Sequence, residues 1–153
     1  MGASTQNSSL HFKVSSDEDA HLLAEIRVQA MQPSLEALGR FDPQRARDRF
    51  LACFNAIETT IVHVQNEIAG FFVVRNRSDH LYLDHLYIAA VFQRQGIGRK
   101  IVDDIKLKAQ RSSLPIRLMA LKDSPANVFY RSCGFEFVST EAFDNLYQWT
   151  PKP

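Results

Sequence analysis

LYIAAVFQRQGIGRKI, residues 86–101, joins the apolar end of a strand-like run to a helix-like one through two closely spaced glycines, Gly96 and Gly98. Glycine lets a backbone approach an anion, and a helix beginning there turns its unpaired N–H groups toward the same point. A strand, a phosphate-cradling turn and a helix are therefore expected in succession. The neighbouring sequence has to supply a sheet to carry them.

Working outward, the residues before the turn form a long β-rich run, Leu81 to Ile88. It is preceded by two others, Thr60 to Val64 and Ile68 to Arg75, which Gln65, Asn66 and Glu67 separate as a hairpin turn would. After the turn, Ile97, Ile101, Val102 and Ile105 recur at helical spacing and predict an amphipathic helix. Ile116 to Leu121 reads as a short apolar strand. Ser124-Pro125 starts a further helix that Gly134 ends, and Phe135, Phe137 and Val138, then Leu146 to Thr150, suggest two closing strands.

Toward the other end, Leu10, Phe12 and Val14 alternate as in a strand, and Ser16 with Asp19 makes a capping-box start. The helix that follows is expected to bury Leu22, Leu23, Ile26 and Ala30 and to end or bend at Pro33. Ser34 to Leu38 would be a separate turn stopped by Gly39. Asp42-Pro43 opens the next helix, through Phe50 and Phe54. The order is β-α-α-β-β-β-α-β-α-β-β, a single α/β domain over residues 10–153 with a mixed, mostly antiparallel twisted sheet flanked by helices. Residues 1–9 are expected to be a flexible N-terminal segment.

Composition narrows the class. With 153 residues and 45% hydrophobic content the chain can bury one core. No segment approaches the roughly 18 apolar residues of a bilayer span, and the polar opening MGASTQNSSL has no signal-peptide core, so a cytoplasmic protein with no membrane partner is expected. The formal charge of +1 gives no reason to expect nucleic acid. Two cysteines, Cys53 and Cys133, suit reduced thiols, and the histidines have no metal-site spacing.

Two common phosphate motifs do not fit. A P-loop needs Lys and Ser or Thr after its last glycine, where this chain has Arg99 and Lys100. A dinucleotide fingerprint needs a small residue where Ile101 stands. QRQGIG, residues 93–98, instead resembles the pyrophosphate motif of the GNAT N-acetyltransferase superfamily, Q/R-x-x-G-x-G/A. SPANVFYRSCGF, residues 124–135, is similar to that family's second signature, an Asn and a Tyr three apart on a helix that runs into Gly-Phe. The likeness extends from about Leu10 to the end, because the order of elements is also the family's.

The resemblance implies an acetyl-CoA-dependent N-acetyltransferase acting by direct transfer, with coenzyme A as cofactor and no metal. Gln93 opens the motif, and the backbone N–H groups of Arg94, Gln95, Gly96, Ile97, Gly98 and Arg99 would hold the pyrophosphate, with Arg94, Arg99 and Lys100 adding charge. The backbone of Leu86, Tyr87 and Ile88 would pair with the pantetheine arm, the N–H of Ile88 facing the thioester oxygen. Asn127 would bind the same arm, and Tyr130 would be the general acid.

The base is less determined. Where some members of the family carry a Glu, this chain has Tyr82. Alternation puts Asp84 on the face of Leu86 and Ile88 and His85 on the face of Leu83 and Tyr87, so Asp84, directly or through water, and His85, turned by a bulge, both stand as bases. In the family the acceptor site is shaped by the early helices and final strands, here the segment around Gln29, Met31, Ser34, Leu35 and Phe41 with Phe143, Tyr147 and Trp149, although core packing is the favoured reading for most of these side chains; a small-molecule amine is favoured over a peptide. A second copy of the chain is left open as a partner. A catalytically silent coenzyme A sensor or partner-binding module is the alternative, motivated by Tyr82.

Overall fold

The computed structural model describes residues 10–153, so the flexible segment expected at residues 1–9 lies outside the described residues. Seven strands form one sheet, and four α-helices lie in the predicted order. These are β1 (Leu10–Val14), α1 (Ala20–Ala37), α2 (Pro43–Ala52), β2 (Thr59–Val64), β3 (Glu67–Asn76), β4 (Leu81–Ile88), α3 (Ile97–Ser112), β5 (Ile116–Leu121), α4 (Pro125–Ser132), β6 (Glu136–Glu141) and β7 (Asp144–Trp149). The strand order is β1-β2-β3-β4-β5-β7-β6. Pairing is antiparallel at β1–β2, β2–β3, β5–β7 and β6–β7 and parallel at β4–β5, where the ladder runs from Leu81↔Ile116 to Leu83↔Leu118.

Local chemistry sets most boundaries. Asp19 Oδ2 accepts from the Ser16 N–H at 2.8 Å, completing the capping box, and Asp42 Oδ1 accepts from the Arg45 N–H at 3.1 Å to cap α2. Gln65 and Asn66 both take positive φ, 51° and 70°, the geometry a two-residue hairpin needs.

Pro33 departs from expectation, because α1 continues through it to Ala37. The bond a proline removes would have used the Gln29 carbonyl, and both residues are exposed, so water can serve that carbonyl instead. The helix stops at Gly39 (φ +67°), whose N–H donates to Glu36 O while that of Arg40 donates to Leu35 O at 2.8 Å, a Schellman closure. The buried stripe of α1 is also rotated from the predicted one. Leu23, Ala24 and Val28 are buried, Leu22 is half exposed and Ala30 is exposed, since α1 turns its 24–28 face to the interior.

By compactness the chain divides into two units. The first holds the residues up to Val73 with His85–Gln95. Its core is Leu23, Ala24, Phe50, Ile61, Phe71 and Val73, against which Ile26, Phe54 and Tyr87 pack. Arg27 Nη1 donates to Ala46 O at 2.6 Å and ties α1 to α2. The second holds Val74–Asp84 with residues 96–153. Here α3 buries Ile97, Ile101, Val102, Ile105 and Ala109, the periodicity read from the sequence, and β5 buries alternate residues Ile116, Leu118 and Ala120. Each of these Ile, Val and Leu side chains contributes about 1.5–3 kcal/mol on leaving water.

Candidate active site

In the first unit, β4 comes so near β3 that a Cβ built on Gly70 would stand 2.0 Å from the Tyr87 carbonyl oxygen and 3.0 Å from Ile88 Cα. Only glycine allows that approach, and the Ala89 N–H then donates to Ala69 O at 2.8 Å. The last residues of β4 are thus held by backbone. Its side chains face aromatic company. His85 packs edge-on against Phe50 with centroids 5.3 Å apart. Its Nδ1 is hydrogen-bonded to Tyr87 Oη at 3.1 Å, and Tyr87 Oη lies 3.4 Å from Met31 Sδ as donor.

Asp84, one residue earlier, belongs to the second unit. Its Oδ2 accepts from Arg75 Nε at 3.1 Å, and that guanidinium side chain is only 8% exposed. Asp84 is thus a hydrogen-bonded counter-ion of a buried guanidinium. Tyr82, on the same face, has its phenol pushed up to about 12, first by burial and then by the charges of Asp84, Asp144 and Glu141. It stays neutral across the physiological range.

The glycine turn is braced from within. Gln93 Nε2 donates to Ile88 O at 2.9 Å and Gln95 Nε2 to Val91 O at 3.3 Å, so these two side chains hold the carbonyls of β4's end and of the 3-10 turn Ala90–Phe92. Arg94 sits at φ +65°, a left-handed conformation that costs a non-glycine residue about 1–2 kcal/mol. Strain of this kind collects where a loop has a ligand to grip.

Gly96 is the N-cap of α3 at φ +78° and provides no side-chain acceptor; the first return bond is Lys100 N–H to Gly96 O at 3.2 Å. The N–H groups of Ile97, Gly98 and Arg99 precede that bond at the positive end of a 16-residue helix, a donor set that suits a phosphate. The exposed Arg99 also donates from Nη2 to Ser132 Oγ at 2.9 Å and from Nη1 to Ser132 O at 3.3 Å, bridging α3 to the last turn of α4. Lys100 and Arg94 are exposed. Gly98 packs near Phe129, whose Cζ would be 3.1 Å from an added Cβ.

On α4, Asn127 and Tyr130 are both buried. Tyr130 lies between Phe129 and Phe135, with ring centroids 5.1 Å and 5.7 Å away. The amide of Asn127 is used in full. Its Nδ2 donates to Leu121 O at 2.8 Å and Ser124 O at 2.9 Å, while its Oδ1 accepts from Asn145 Nδ2 at 2.9 Å and Tyr147 Oη at 2.8 Å. An Asn side chain has two donors and two lone pairs, and the fold meets all four. Cys133 is buried, and burial pushes its thiol up, as suits a packing residue.

The residues expected to shape the acceptor site separate into two kinds. Met31, Ser34, Leu35 and Phe41 are half-buried and Gln29 is exposed, all in the first unit. In the second, Phe143 is 44% exposed, but Tyr147 is fully buried and Trp149 stacks under Lys106 Nζ at 5.6 Å, so both of these are packing residues. Sequence reasoning passed over Gly70 and the Asn127–Asn145–Tyr147 cluster. A glycine inside the apolar run IAGFF was the available sign of a close backbone approach, whereas nothing in the sequence links residue 127 to residues 145 and 147. Among the described residues no group of three His, Cys, Asp or Glu side chains could hold a metal ion, and no helix is long and apolar enough to cross a membrane.

An open, mostly antiparallel sheet with a glycine-capped helix after its fourth strand defines a class, the acetyltransferase fold. The acetyltransferase (GNAT) domain family model matches residues 25–151, and the chain belongs to that family. Solved structures agree on the fold. PaiA N-acetyltransferase of Thermoplasma acidophilum, in complex with coenzyme A, superposes with a TM-score of 0.72 at 15% identity, covering 93% of this chain and 99% of that one. An acetyltransferase of Thermus thermophilus gives 0.72 at 15% identity over 93% and 97%. A streptothricin acetyltransferase of Bacillus anthracis, in complex with acetyl coenzyme A, gives 0.54 at 20% identity over 60% and 61%. No curated protein sequence matches significantly.

Proposed function

We propose that the protein is an acetyl-CoA-dependent N-acetyltransferase that acetylates a primary amine, a small molecule in preference to a peptide. The observation that carries this reading is the glycine N-cap of α3, which leaves three backbone N–H groups without a side-chain acceptor. Membership of the family and the coenzyme A complexes of two structural neighbours support it. When bound, acetyl-CoA supplies an acetyl thioester open to attack by an amine.

The chain's own residues divide the work. The N–H groups of Arg94, Gln95, Gly96, Ile97, Gly98 and Arg99 grip the pyrophosphate, with Arg94, Arg99 and Lys100 adding charge. The backbone of Leu86, Tyr87 and Ile88 lies along the pantetheine arm. The Ile88 N–H donates where negative charge grows, and a fixed donor at such a point contributes about 3 kcal/mol to the transition state. Tyr130 gives a proton to the departing sulfur.

For the base we favour His85 over Asp84. Asp84 already serves as hydrogen-bonded counter-ion to the buried Arg75 guanidinium, and on taking a proton it would give up that charge. His85 carries an imidazole suited to a proton near neutral pH and is oriented by Phe50 and Tyr87.

The test is thiol release from acetyl-CoA with a mixed amine library, paired with calorimetry on coenzyme A. The wild type should bind and turn over, while His85→Gln should bind equally and lose about two orders of magnitude in kcat, with the acid limb of its pH profile removed. Binding without amine-dependent release would identify the silent sensor that Tyr82, in place of Glu, also suggests. Absence of binding would end both readings.

A further inference from the structure

We infer that Asn145 and Tyr147 of β7 are positioning residues for Tyr130, acting through Asn127; this rests on the proposed role of Tyr130 as proton donor. The geometry lies wholly within the second unit. Asn127 opens the first turn of α4 and is 8% exposed. Its Nδ2 spans the β5–α4 connection, donating to Leu121 O at one side and Ser124 O at the other, so the chain's entry into the helix is fixed to this one amide. Its Oδ1 is fixed in turn by β7, through the Asn145 amide and the Tyr147 hydroxyl.

Tyr147 cannot easily yield. It is fully buried, with Phe137 at 6.0 Å on one side and Arg131 of α4 at 5.8 Å from its ring. Asn145 is held by Thr140 Oγ1, which donates to its Oδ1 at 2.9 Å. The strand pair β6–β7 thereby reaches α4 at both ends, through Asn127 in its first turn and Arg131 in its last.

Tyr130 lies three residues after Asn127, on the same side of a helix of only eight residues. A helix that short has little rigidity of its own, so its orientation follows from what holds its ends. An amide with no unused donor or lone pair can take a ligand only by giving up a partner inside the protein. The four bonds therefore assign Asn127 to holding the helix rather than to holding the pantetheine arm.

The experiment uses the full chain with Tyr147→Phe, which keeps the ring and deletes one bond, and Asn145→Ala as the variant at a less buried position. Each should lower kcat about tenfold, with the KM for acetyl-CoA changed by less than about twofold. In a Tyr130→Phe background the same substitutions should have no further effect on kcat, because a positioning residue acts only through what it positions. Factors that simply multiply, or a KM that rises while kcat holds, would overturn the inference.

A readout independent of turnover separates it from the acetyltransferase reading. In protein labelled with fluorotyrosine, the Tyr130 resonance, assigned by its loss in Tyr130→Phe, should shift in both variants at a temperature where circular dichroism shows them folded. An unmoved resonance refutes the inference even in an active enzyme. A moved resonance in a protein that never acetylates an amine supports the positioning and refutes the enzymatic reading instead.

Discussion

Replacing Gly70 by alanine should damage the end of β4 more than a single methyl addition at any other glycine among the described residues. The new Cβ would stand 2.0 Å from the Tyr87 carbonyl oxygen and 3.0 Å from Ile88 Cα. Real contacts of this kind stay beyond about 3 Å, so the two backbones must part by about 1 Å, and neither is a side-chain tip that can swing aside. Overpacking of this size costs about 1–3 kcal/mol, which in a chain of this length lowers Tm by roughly 2–12 °C. The Ala89 N–H to Ala69 O bond is the first to strain, and the Ile88 N–H moves with it. If that N–H serves the transition state, a displacement near 1 Å lowers kcat by up to about a hundredfold. The assay is a thermal melt with and without coenzyme A, followed by steady-state kinetics at a temperature well below the melt. A variant with Tm and kcat both unchanged would refute the close-approach reasoning. One that melts early yet keeps kcat would show that the end of β4 is scaffold alone.

Other perturbations have smaller and separable effects. Gly96→Ala meets nothing within 4 Å but must keep φ +78°, so it should cost about 1 kcal/mol in stability without abolishing coenzyme A binding, as melting and calorimetry together would show. Tyr82 should make the protein sensitive to alkali. The unfolded phenol releases its proton near 10 and the folded one only near about 12, so the unfolded state deprotonates first. Stability then falls as pH rises between those values, by no more than about 2 kcal/mol once solvent screening of the half-exposed ring is counted, and Tyr82→Phe should remove that slope in alkaline melts. Because Cys53 is exposed and Cys133 is buried with its thiol pushed up, a thiol reagent at mild alkaline pH should modify one cysteine quickly, and peptide mapping should place it at Cys53. Equal rates at both would contradict the packing of Cys133.

Periodicity and turn chemistry made the fold legible almost throughout. The span of β4, Leu81 to Ile88, and that of β5, Ile116 to Leu121, agree with the structure at both ends, because each is bounded by turn residues and rich in strand formers. The stripe of α3 was equally plain. Pro33 misled because its penalty depends on whether the orphaned carbonyl reaches water, a fact of exposure and not of local sequence. Within the site, the glycine turn and the Asn127–Tyr130 pair could be found from spacing. Their hydrogen bonds could not, since the Arg75–Asp84 contact depends on the register of β4 after the turn, and Asn127 meets Tyr147 of β7 only once the chain has folded back on α4.

Four of the polar side chains that look like ligands in the sequence share one use in the structure: each serves a carbonyl of its own chain. Gln93 donates to Ile88 O, Gln95 to Val91 O, Arg99 to Ser132 O and Asn127 to Leu121 O. On the proposed reading, recognition of a phosphate falls chiefly to main-chain N–H groups, which side-chain substitution cannot remove, while these side chains keep the chain around them in place. On this division Gln93→Ala should act by loosening the Ile88 carbonyl. It loses one hydrogen bond worth about 0.5–1.5 kcal/mol and lowers Tm by a few degrees. Its effect on binding should be equal for coenzyme A and for a pantetheine fragment without phosphates. A side chain that touched the pyrophosphate would weaken the first and spare the second, and calorimetry on the two ligands would separate the cases. A loss confined to coenzyme A would move Gln93 from scaffold to ligand and undo the division.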